Sequence, residues 1–318
     1  MGDAADGIKV IYVLGPGRSG SGVLGRLLST IPGSAFLGEL RRVWSRGFRP
    51  GRTCGCGRPH AECPVWSAVL VPGSPTVEPI RSDVAALQRL VAPEHLGWRA
   101  ALRQGRRSGP PGPDTPAGRY VAAYTELHRA VAAATGATLV IDSSKSAADA
   151  ALLALREDVP TYLIQLIRDP RGVVSSLQRH AAARSGRARR ALAVRGAARW
   201  TAKHLANEAL RRRSGPERSI ALRYEDVITH PADAVEAVAK LVGLPSPLER
   251  LAPGVPIAVP EVHGPDGSRR RRFETDHIVL ELDTRWHREL DPADRRLVTA
   301  LTFPLLRRYG YPARVDAP

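Results

Sequence analysis

A glycine-rich segment at residues 15–22, Gly-Pro-Gly-Arg-Ser-Gly-Ser-Gly, could bind a phosphate group. Small residues let successive backbone amides turn toward one anion, and a helix that follows them adds its positive end. The ATPase form of such a loop needs Gly-Lys-Ser/Thr, whereas an arginine stands inside this one. The alternative is a tight glycine turn between a strand and a helix. The residues that would form the cradle are Gly17, Arg18, Ser19, Gly20, Ser21 and Gly22.

A second set of phosphate ligands is predicted at residues 166–176, Leu-Ile-Arg-Asp-Pro-Arg-Gly-Val-Val-Ser-Ser. A buried strand ends at Arg168, a proline breaks it, and a helix carries Ser176 on its first or second turn. The guanidinium offers a fork for phosphate oxygens and the hydroxyl a further donor. An ordinary helix entry with surface arginines is the alternative.

An acidic residue that could take a proton, Glu39, follows a short predicted strand in Gly-Glu-Leu-Arg. We expect nearby Arg18 and Arg41 to set its pKa. The alternative is a surface glutamate in an ion pair with an arginine.

Lys145 ends the segment Asp-Ser-Ser-Lys, directly after another buried strand. Its ammonium is a compact charge suited to phosphate or sulfate oxygens. Alternatively, Ser143 or Ser144 caps a helix and the lysine is solvated. Tyr224 opens a Tyr-Glu-Asp segment after a late strand, and a packing role is its alternative.

The three cysteines, Cys54, Cys56 and Cys63, lie in one short stretch. Their spacing matches no standard zinc site, although His60 could supply a fourth ligand. We expect a compact structural loop and no metal, and no disulfide in a reducing cytoplasm.

The histidines form no catalytic triad with a serine nucleophile. We expect most of them at the surface, and His263, which borders a basic loop at residues 264–272, is the one worth testing. The histidines expected at the surface are His60, His95, His128, His180, His204 and His287.

Hydrophobic periodicity predicts alternating strands and helices, and hence an α/β fold with a mostly parallel sheet covered on both faces. In such sheets ligands bind at the carboxyl ends of the strands, which is where these candidate residues fall. Strands are predicted at residues 8–14, 34–37, 138–142, 161–168 and 219–223. Helices are predicted at 23–29, within 77–101, and at 120–134, 147–156, 173–184, 192–212, 232–242 and about 292–309.

The length of 318 residues and a hydrophobic content of 43% allow one large domain. We expect it to span residues 8–313, with a loop insertion near 104–118, a flexible start at 1–7 and a tail at 314–318. No residue run is apolar enough for a membrane span, and residues 1–7 lack the basic region of a secretory signal, so a cytoplasmic location is expected.

The net charge of +16 comes from 47 basic residues, of which four are lysines. This charge fits either solvated faces of an arginine-rich chain or a preference for a polyanionic partner.

Taken together, these motifs resemble PAPS-dependent sulfotransferases of the bacterial carbohydrate and small-molecule type, where PAPS is 3′-phosphoadenosine 5′-phosphosulfate. The family shows Arg-Ser-Gly-Ser at its phosphosulfate loop, an arginine and a serine at the separation of Arg168 and Ser176, and Tyr-Glu-Asp at the position of Tyr224. Bacterial members also resemble the Glu39–Arg41 pair, the Asp-Ser-Ser-Lys and the cysteine stretch. The resemblance covers residues 8 to about 311.

The resemblance implies a three-layer α/β/α, P-loop-like fold and direct in-line transfer without a metal. It implies that Glu39 is the base, that Arg18 and Lys145 stabilise the sulfuryl group, and that Arg168 and Ser176 hold the 3′-phosphate. Arg41 would face the acceptor. Family spacing also places a nucleotide-binding arginine at Arg272, although this chain lacks the expected Gly-Asn-Pro there and any of residues 269–272 could act.

Two other functions remain compatible with the sequence: a P-loop small-molecule kinase and a non-enzymatic basic nucleic-acid-binding protein. The expected partner is a small-molecule or glycan acceptor rather than a nucleic acid, and a homodimer is compatible with this function. The segments that would recognise the acceptor hold few distinctive residues, so its identity stays open between a carbohydrate, a glycolipid and a specialised metabolite.

Overall fold

A parallel five-stranded sheet forms the centre of the molecule. The computed structural model describes residues 7–44, 53–69, 80–92, 103, 109–181, 185–247, 251–265 and 276–314. The strand order β2-β3-β1-β4-β5 contains only parallel pairs, so the predicted α/β class is confirmed. The strands are β1 (Lys9–Leu14), β2 (Ser34–Phe36), β3 (Leu139–Asp142), β4 (Thr161–Ile167) and β5 (Ser219–Arg223).

Eleven α-helices lie within the described ranges, together with a small antiparallel pair of strands that the sequence did not predict, β6 (Pro256–Ala258) and β7 (His277–Val279). The helices are α1 (Ser21–Leu28), α2 (Pro64–Val69), α3 (Ile80–Val91), α4 (Pro116–Thr135), α5 (Ala147–Leu153), α6 (Pro170–His180), α7 (Gly186–Ser214), α8 (Tyr224–Thr229), α9 (Pro231–Val242), α10 (Trp286–Glu289) and α11 (Pro292–Arg308).

The central strand β1 is almost entirely apolar after Lys9, because both of its faces are buried. Val10, Tyr12 and Leu14 pack into the core that includes residues of α2, α4 and α5, whereas Ile11 and Val13 pack into the core with α1 and α9. Because both faces of the sheet are covered, no residue of the strand can be polar without a buried partner. Helices on both faces give the predicted three layers.

Two helices begin earlier than predicted because a proline opens each of them. Asp169 caps α6 by accepting from the Arg171 amide at 2.8 Å, and Thr115 caps α4 by accepting from the Gly118 amide at 3.0 Å. Proline at the first helical position needs no donor there. Residues 116–118 of the predicted loop are therefore helical, and residues 104–108 lie outside the described ranges.

The order of the strands reverses beside β1, since the chain moves to one edge with β2 and β3 and to the other with β4 and β5. A crevice at the carboxyl ends of the strands is the ligand site of such sheets. Among the described residues, no helix is both long and apolar enough to cross a membrane.

Candidate functional site

The loop between β1 and α1 contacts a second segment, residues 168–176, that is far from it in the sequence. The Arg18 side chain donates from Nε to Ser176 Oγ at 2.9 Å, and Arg168 donates from Nη1 to the Arg18 carbonyl at 3.0 Å. Arg18 itself has a φ of 71°, a left-handed conformation that costs roughly 1–3 kcal/mol in a non-glycine residue. The structure thus joins the two predicted phosphate-binding segments into one surface.

Tyr224 completes this surface from the end of β5. The Arg168 guanidinium lies over the Tyr224 ring, 4.5 Å from its centroid. Gly20, with a φ of 92°, packs so closely that a Cβ there would come within 2.4 Å of the ring. A glycine is needed at this position both for the backbone conformation and for the contact.

The same loop holds a hydroxyl that fits an anion. Ser19 is fully buried, and its Oγ has no hydrogen-bond partner in the described part of the chain. A buried hydroxyl without a partner costs free energy unless a ligand or water supplies one. Beside Arg18 and the amides at the start of α1, this donor suits a phosphate oxygen.

Glu39 and Lys145 form a buried ion pair, with 2.8 Å between Oε1 and Nζ. Lys145 is only 9% exposed and also donates to the Ser143 carbonyl at 2.6 Å. Its φ of 61° makes it, with Arg18, one of two non-glycine residues at positive φ in the described ranges. The alternative of a solvated lysine after a serine cap is therefore wrong, and Ser146 is the residue that caps α5.

The pKa of Glu39 is lowered to about 2. Burial by itself would raise the pKa, but the charges of Lys145 and then Arg42, both hydrogen-bonded to the carboxylate, outweigh it. The prediction that Arg18 and Arg41 set this pKa is corrected, because the charges in contact belong to Lys145 and Arg42.

Arg41 points into the core instead. Its Nε contacts Asp149 Oδ2 at 2.8 Å, and Nη2 donates to the Ala92 carbonyl at 3.0 Å. Its backbone amide donates to Ser144 Oγ at 3.1 Å. These contacts tie the turn that carries Glu39 to the end of β3, while a contact between Arg41 and an acceptor stays a prediction.

Two charged residues near the site were not assigned a role from the sequence. Asp283 accepts hydrogen bonds from Arg168 at 3.0 Å and from Arg179 at 3.3 Å. It therefore orients Arg168, the residue predicted to bind the 3′-phosphate. Lys203 donates to the carbonyls of Lys145, at 3.1 Å, and Gly15, at 3.5 Å. The scarcity of lysine in the sequence, which drew attention to Lys145, would have found Lys203 as well.

The pKa of Lys203 is lowered to about 7. Burial is the main cause, and the positive charges of Arg199 and Lys145 add to it. A lysine with this pKa is partly deprotonated at neutral pH, whereas an exposed lysine stays charged.

The predicted surface position of the histidines is wrong for three of them: His60, His128 and His204 are buried. His128 contacts Asp142 at 3.3 Å and stacks on Tyr124. His180 is exposed and His287 is partly buried, whereas His95 lies outside the described residues. Arg272 and the other arginines at 269–271 lie outside them too.

The histidine in contact with the cysteines is His263 and not His60, the residue considered from the sequence. His60 Nε2 lies 3.2 Å from the Pro265 carbonyl, and it is His263 whose Nδ1 lies 3.2 Å from Cys63 Sγ. Burial raises the pKa of the Cys54 and Cys63 thiols.

A family model described as "Sulfotransferase family" matches residues 11–248 of the chain. Comparison with curated proteins gives no match.

The solved structures that are similar to this chain include three bacterial sulfotransferases. The sulfotransferase domain from the Synechococcus PCC 7002 olefin synthase is 18% identical, with 98% of this chain and 95% of that chain covered and a TM-score of 0.48. Sulfotransferase STF9 from Mycobacterium avium is 13% identical over 96% and 78%, with a TM-score of 0.49. A sulfotransferase from Alicyclobacillus acidocaldarius is 14% identical over 94% and 92%, with a TM-score of 0.46.

Proposed function

Because the chain belongs to the sulfotransferase family, which its family model matches over residues 11–248, we propose that it transfers the sulfuryl group of PAPS to a hydroxyl or amine acceptor. The observation that carries this proposal is the contact of Arg18 with Ser176 and Arg168. It unites a phosphate loop with a second anion site, and a donor that carries a separate 3′-phosphate needs both.

The donor would be held by residues that follow the carboxyl ends of β1, β4 and β5. The amides of residues 17–22, the Ser19 hydroxyl and the Arg18 guanidinium bind the 5′-phosphosulfate. Arg168 and Ser176 bind the 3′-phosphate, and Tyr224 borders the same surface. Arg272 is included as a nucleotide ligand on the family spacing alone.

The chemistry requires one base and several fixed positive charges. In the reaction, the acceptor oxygen forms a bond to sulfur while the bond from sulfur to the phosphate oxygen breaks, and the electron pair leaves with adenosine 3′,5′-bisphosphate. Glu39 takes the proton of the acceptor hydroxyl. Lys145 and Arg18 stabilise the charge that develops on the transferring group and on the leaving phosphate, which is electrostatic preorganisation.

The Glu39–Lys145 ion pair suggests an order to these roles. With Lys145 at 2.8 Å, the carboxylate is a weak base, since its pKa is about 2. When Lys145 turns to the oxygens of the donor, the carboxylate loses its strongest positive neighbour and its pKa rises. Proton abstraction would then be favoured only after the donor is bound.

The proposal extends to the setting of the reaction. The acceptor is a small molecule or glycan, such as a carbohydrate, a glycolipid or a specialised metabolite, and no nucleic acid takes part. Cationic side chains supply the charge at the reacting group, and no metal is assigned a role there. The enzyme is placed in the cytoplasm, and a homodimer is compatible with it.

Incubation with PAPS labelled in the sulfuryl group, together with a panel of hydroxyl and amine acceptors, tests the proposal. We expect a labelled product whose mass increases by one sulfuryl group. Glu39→Gln should lower transfer by about 10²–10⁴-fold, the range for losing a general base. Full transfer by Glu39→Gln would exclude Glu39 as the base. In a parallel incubation of the same acceptors with ATP and Mg²⁺, phosphate transfer in place of sulfuryl transfer would identify a kinase instead.

A further inference from the structure

Four potential metal ligands converge at one point beside Leu37 and Gly38. The ligand atoms of Cys54, Cys56, Cys63 and His263 all lie within 4.8 Å of one another. The two buried sulfurs, of Cys54 and Cys63, are 3.5 Å apart, and His263 Nδ1 lies 3.2 Å from Cys63 Sγ and 3.9 Å from Cys54 Sγ. Three thiols and an imidazole nitrogen are therefore grouped around one small volume.

These separations are those of a tetrahedral zinc site. Zinc–sulfur distances of ~2.3 Å and zinc–nitrogen distances of ~2.0–2.1 Å place two tetrahedral sulfurs ~3.8 Å apart, and a sulfur and a nitrogen ~3.6 Å apart. The three distances among the Cys54 sulfur, the Cys63 sulfur and His263 Nδ1 lie close to these values, and the Cys56 sulfur lies within 4.8 Å of each of them. A disulfide between Cys54 and Cys63 would need ~2.05 Å, and all three cysteines are free.

A compact backbone turn carries two of the four ligands, Cys54 and Cys56. The Cys54 amide donates to the Arg58 carbonyl at 2.8 Å, and the Cys54 carbonyl accepts from the Gly57 amide at 3.0 Å. These backbone hydrogen bonds hold both cysteines in one short segment of fixed conformation.

The imidazole of His263 is oriented by a second partner. Its Nδ1 faces the sulfurs, while its Nε2 lies 3.5 Å from Glu261 Oε2. A carboxylate on the far nitrogen is the usual partner of a metal-bound histidine, because it fixes the ring and its tautomer. The backbone is fixed as well, since Trp66 donates from Nε1 to the His263 carbonyl at 2.8 Å.

We propose that Cys54, Cys56, Cys63 and His263 bind one Zn²⁺ ion in a closed tetrahedral site. Three thiolates and one imidazole are a ligand set that selects zinc among the common divalent ions. All four ligands come from the protein, which is the pattern of a structural site rather than a catalytic one. The expectation from the sequence was a structural loop without a metal, for which His60 could have supplied a fourth ligand. The proposal differs in both respects.

The ion would join two parts of the chain at the turn that carries Glu39. Gly55 packs against the segment of His263 so closely that a Cβ there would come within 2.4 Å of the Val262 carbonyl, and its amide donates to the Gly264 carbonyl at 3.0 Å. Gly264 in turn packs on Gly38, since a Cβ at Gly38 would lie 3.8 Å from the Gly264 Cα. Zinc would therefore fix the position of Gly38, the residue that precedes the predicted base Glu39.

Metal analysis of the full-length protein, purified under reducing conditions without chelators, tests this proposal. We expect about one zinc per chain, the stoichiometry of a closed four-ligand site. Cys56→Ser and His263→Ala should each lose the zinc and unfold at a lower temperature. His180→Ala, which removes an exposed histidine elsewhere, should keep both the zinc and the unfolding temperature.

A second measurement on the unmodified chain keeps the test independent of how the variants fold. Titration of the three thiols with a mercurial reagent should release the zinc in proportion, and cobalt substituted for zinc should give the absorption of a tetrahedral thiolate site. Three outcomes would overturn the proposal. They are zinc below about a tenth of an equivalent together with freely titrating thiols, a disulfide between Cys54 and Cys63, and retention of zinc by both ligand variants. None of these readouts depends on PAPS, so their outcome is separate from that of the sulfotransfer assay.

Discussion

Glu39 shows how neighbouring charges determine what a single carboxylate can do. Buried among apolar atoms, it would hold its proton more tightly than in water, but Lys145 and Arg42 both contact it and lower its pKa to about 2. Lys145 also belongs to the proposed donor site, whereas Arg42 has no role there. Mutation of Arg42 therefore changes the charge beside Glu39 without removing a residue of the proposed donor site.

Arg42→Met should shift the acid limb of the pH profile of kcat/KM to higher pH. A base works only when deprotonated, so activity falls once the pH drops below its pKa. Removing the Arg42 charge raises the pKa of Glu39 toward its ordinary value, so the variant should lose activity at a higher pH than the unmodified enzyme. The profile of kcat/KM for the acceptor is measured with saturating PAPS, the state in which Lys145 is proposed to have turned to the donor, between about pH 4 and about pH 8.

The matched control is Arg129→Met, which removes an arginine of α4 that is paired with Glu126 and Asp158. Its profile should overlay that of the unmodified enzyme. Coincident acid limbs for Arg42→Met and the unmodified enzyme would mean that Glu39 does not govern them.

At the level of elements, the loop between β1 and α1 combines conformations that ordinary residues avoid with contacts that only glycine permits. Gly20 has a φ of 92° and packs against the Tyr224 ring. Gly17 has room for a side chain, because no atom lies within 4 Å of the place that a Cβ would take. The same run of glycines thus contains one position that tolerates a side chain and one that does not.

Gly20→Ala should lower the free energy of unfolding by about 1–2 kcal/mol for the left-handed backbone, plus the cost of moving Tyr224. Gly17→Ala should leave stability within about 0.5 kcal/mol, the usual range for a surface change. Urea unfolding of the two variants and the unmodified chain measures both. Equal stability of the two variants would contradict the contact between Gly20 and Tyr224.

The helix α6 carries the proposed second anion site, and its two adjacent serines, Ser175 and Ser176, provide a matched pair for mutation. Ser176 Oγ accepts from Arg18, whereas Ser175 Oγ accepts from Arg179 at 3.1 Å. Ser176→Ala should weaken binding of adenosine 3′,5′-bisphosphate by ~2–10-fold, which corresponds to the ~0.5–1.5 kcal/mol of one hydrogen bond.

The control for this prediction has two parts, both measured by calorimetry. Ser175→Ala should bind the bisphosphate as the unmodified chain does, and Ser176→Ala should bind adenosine 5′-phosphate unchanged. An equal loss of affinity for both nucleotides would remove Ser176 from the 3′-phosphate site.

Local sequence patterns predicted the elements well because hydrophobic period and turn residues act over a few positions. Strand β5 was predicted at its observed bounds, and the start of α6 was missed because Pro170 was taken as a break when it is the first helical residue. Pairings across the fold could not be predicted in this way. Nothing near Glu39 in the sequence indicates Lys145, and nothing near Cys63 indicates His263, since only tertiary packing brings them together.

At the scale of the whole molecule, the parallel sheet gathers the ends of five strands along one edge. Ser19, Glu39, Lys145, Arg168 and Tyr224 each follow a different strand, so residues spread over more than 200 positions lie along one edge of the sheet. The proposed zinc ion lies beside the turn of Glu39 and would strengthen one corner of that edge. The proposed function depends on which nucleotide this edge of the sheet binds.

Thermal unfolding of the full-length protein with adenosine 3′,5′-bisphosphate or with ATP and Mg²⁺ tests that claim most directly. A ligand that binds only the folded state at about 100 times its Kd stabilises the protein by about 2.7 kcal/mol, a shift of several degrees. We expect such a shift with the bisphosphate and none with ATP and Mg²⁺. A shift with ATP and Mg²⁺ but none with the bisphosphate would exclude a PAPS-dependent sulfotransferase in favour of a kinase.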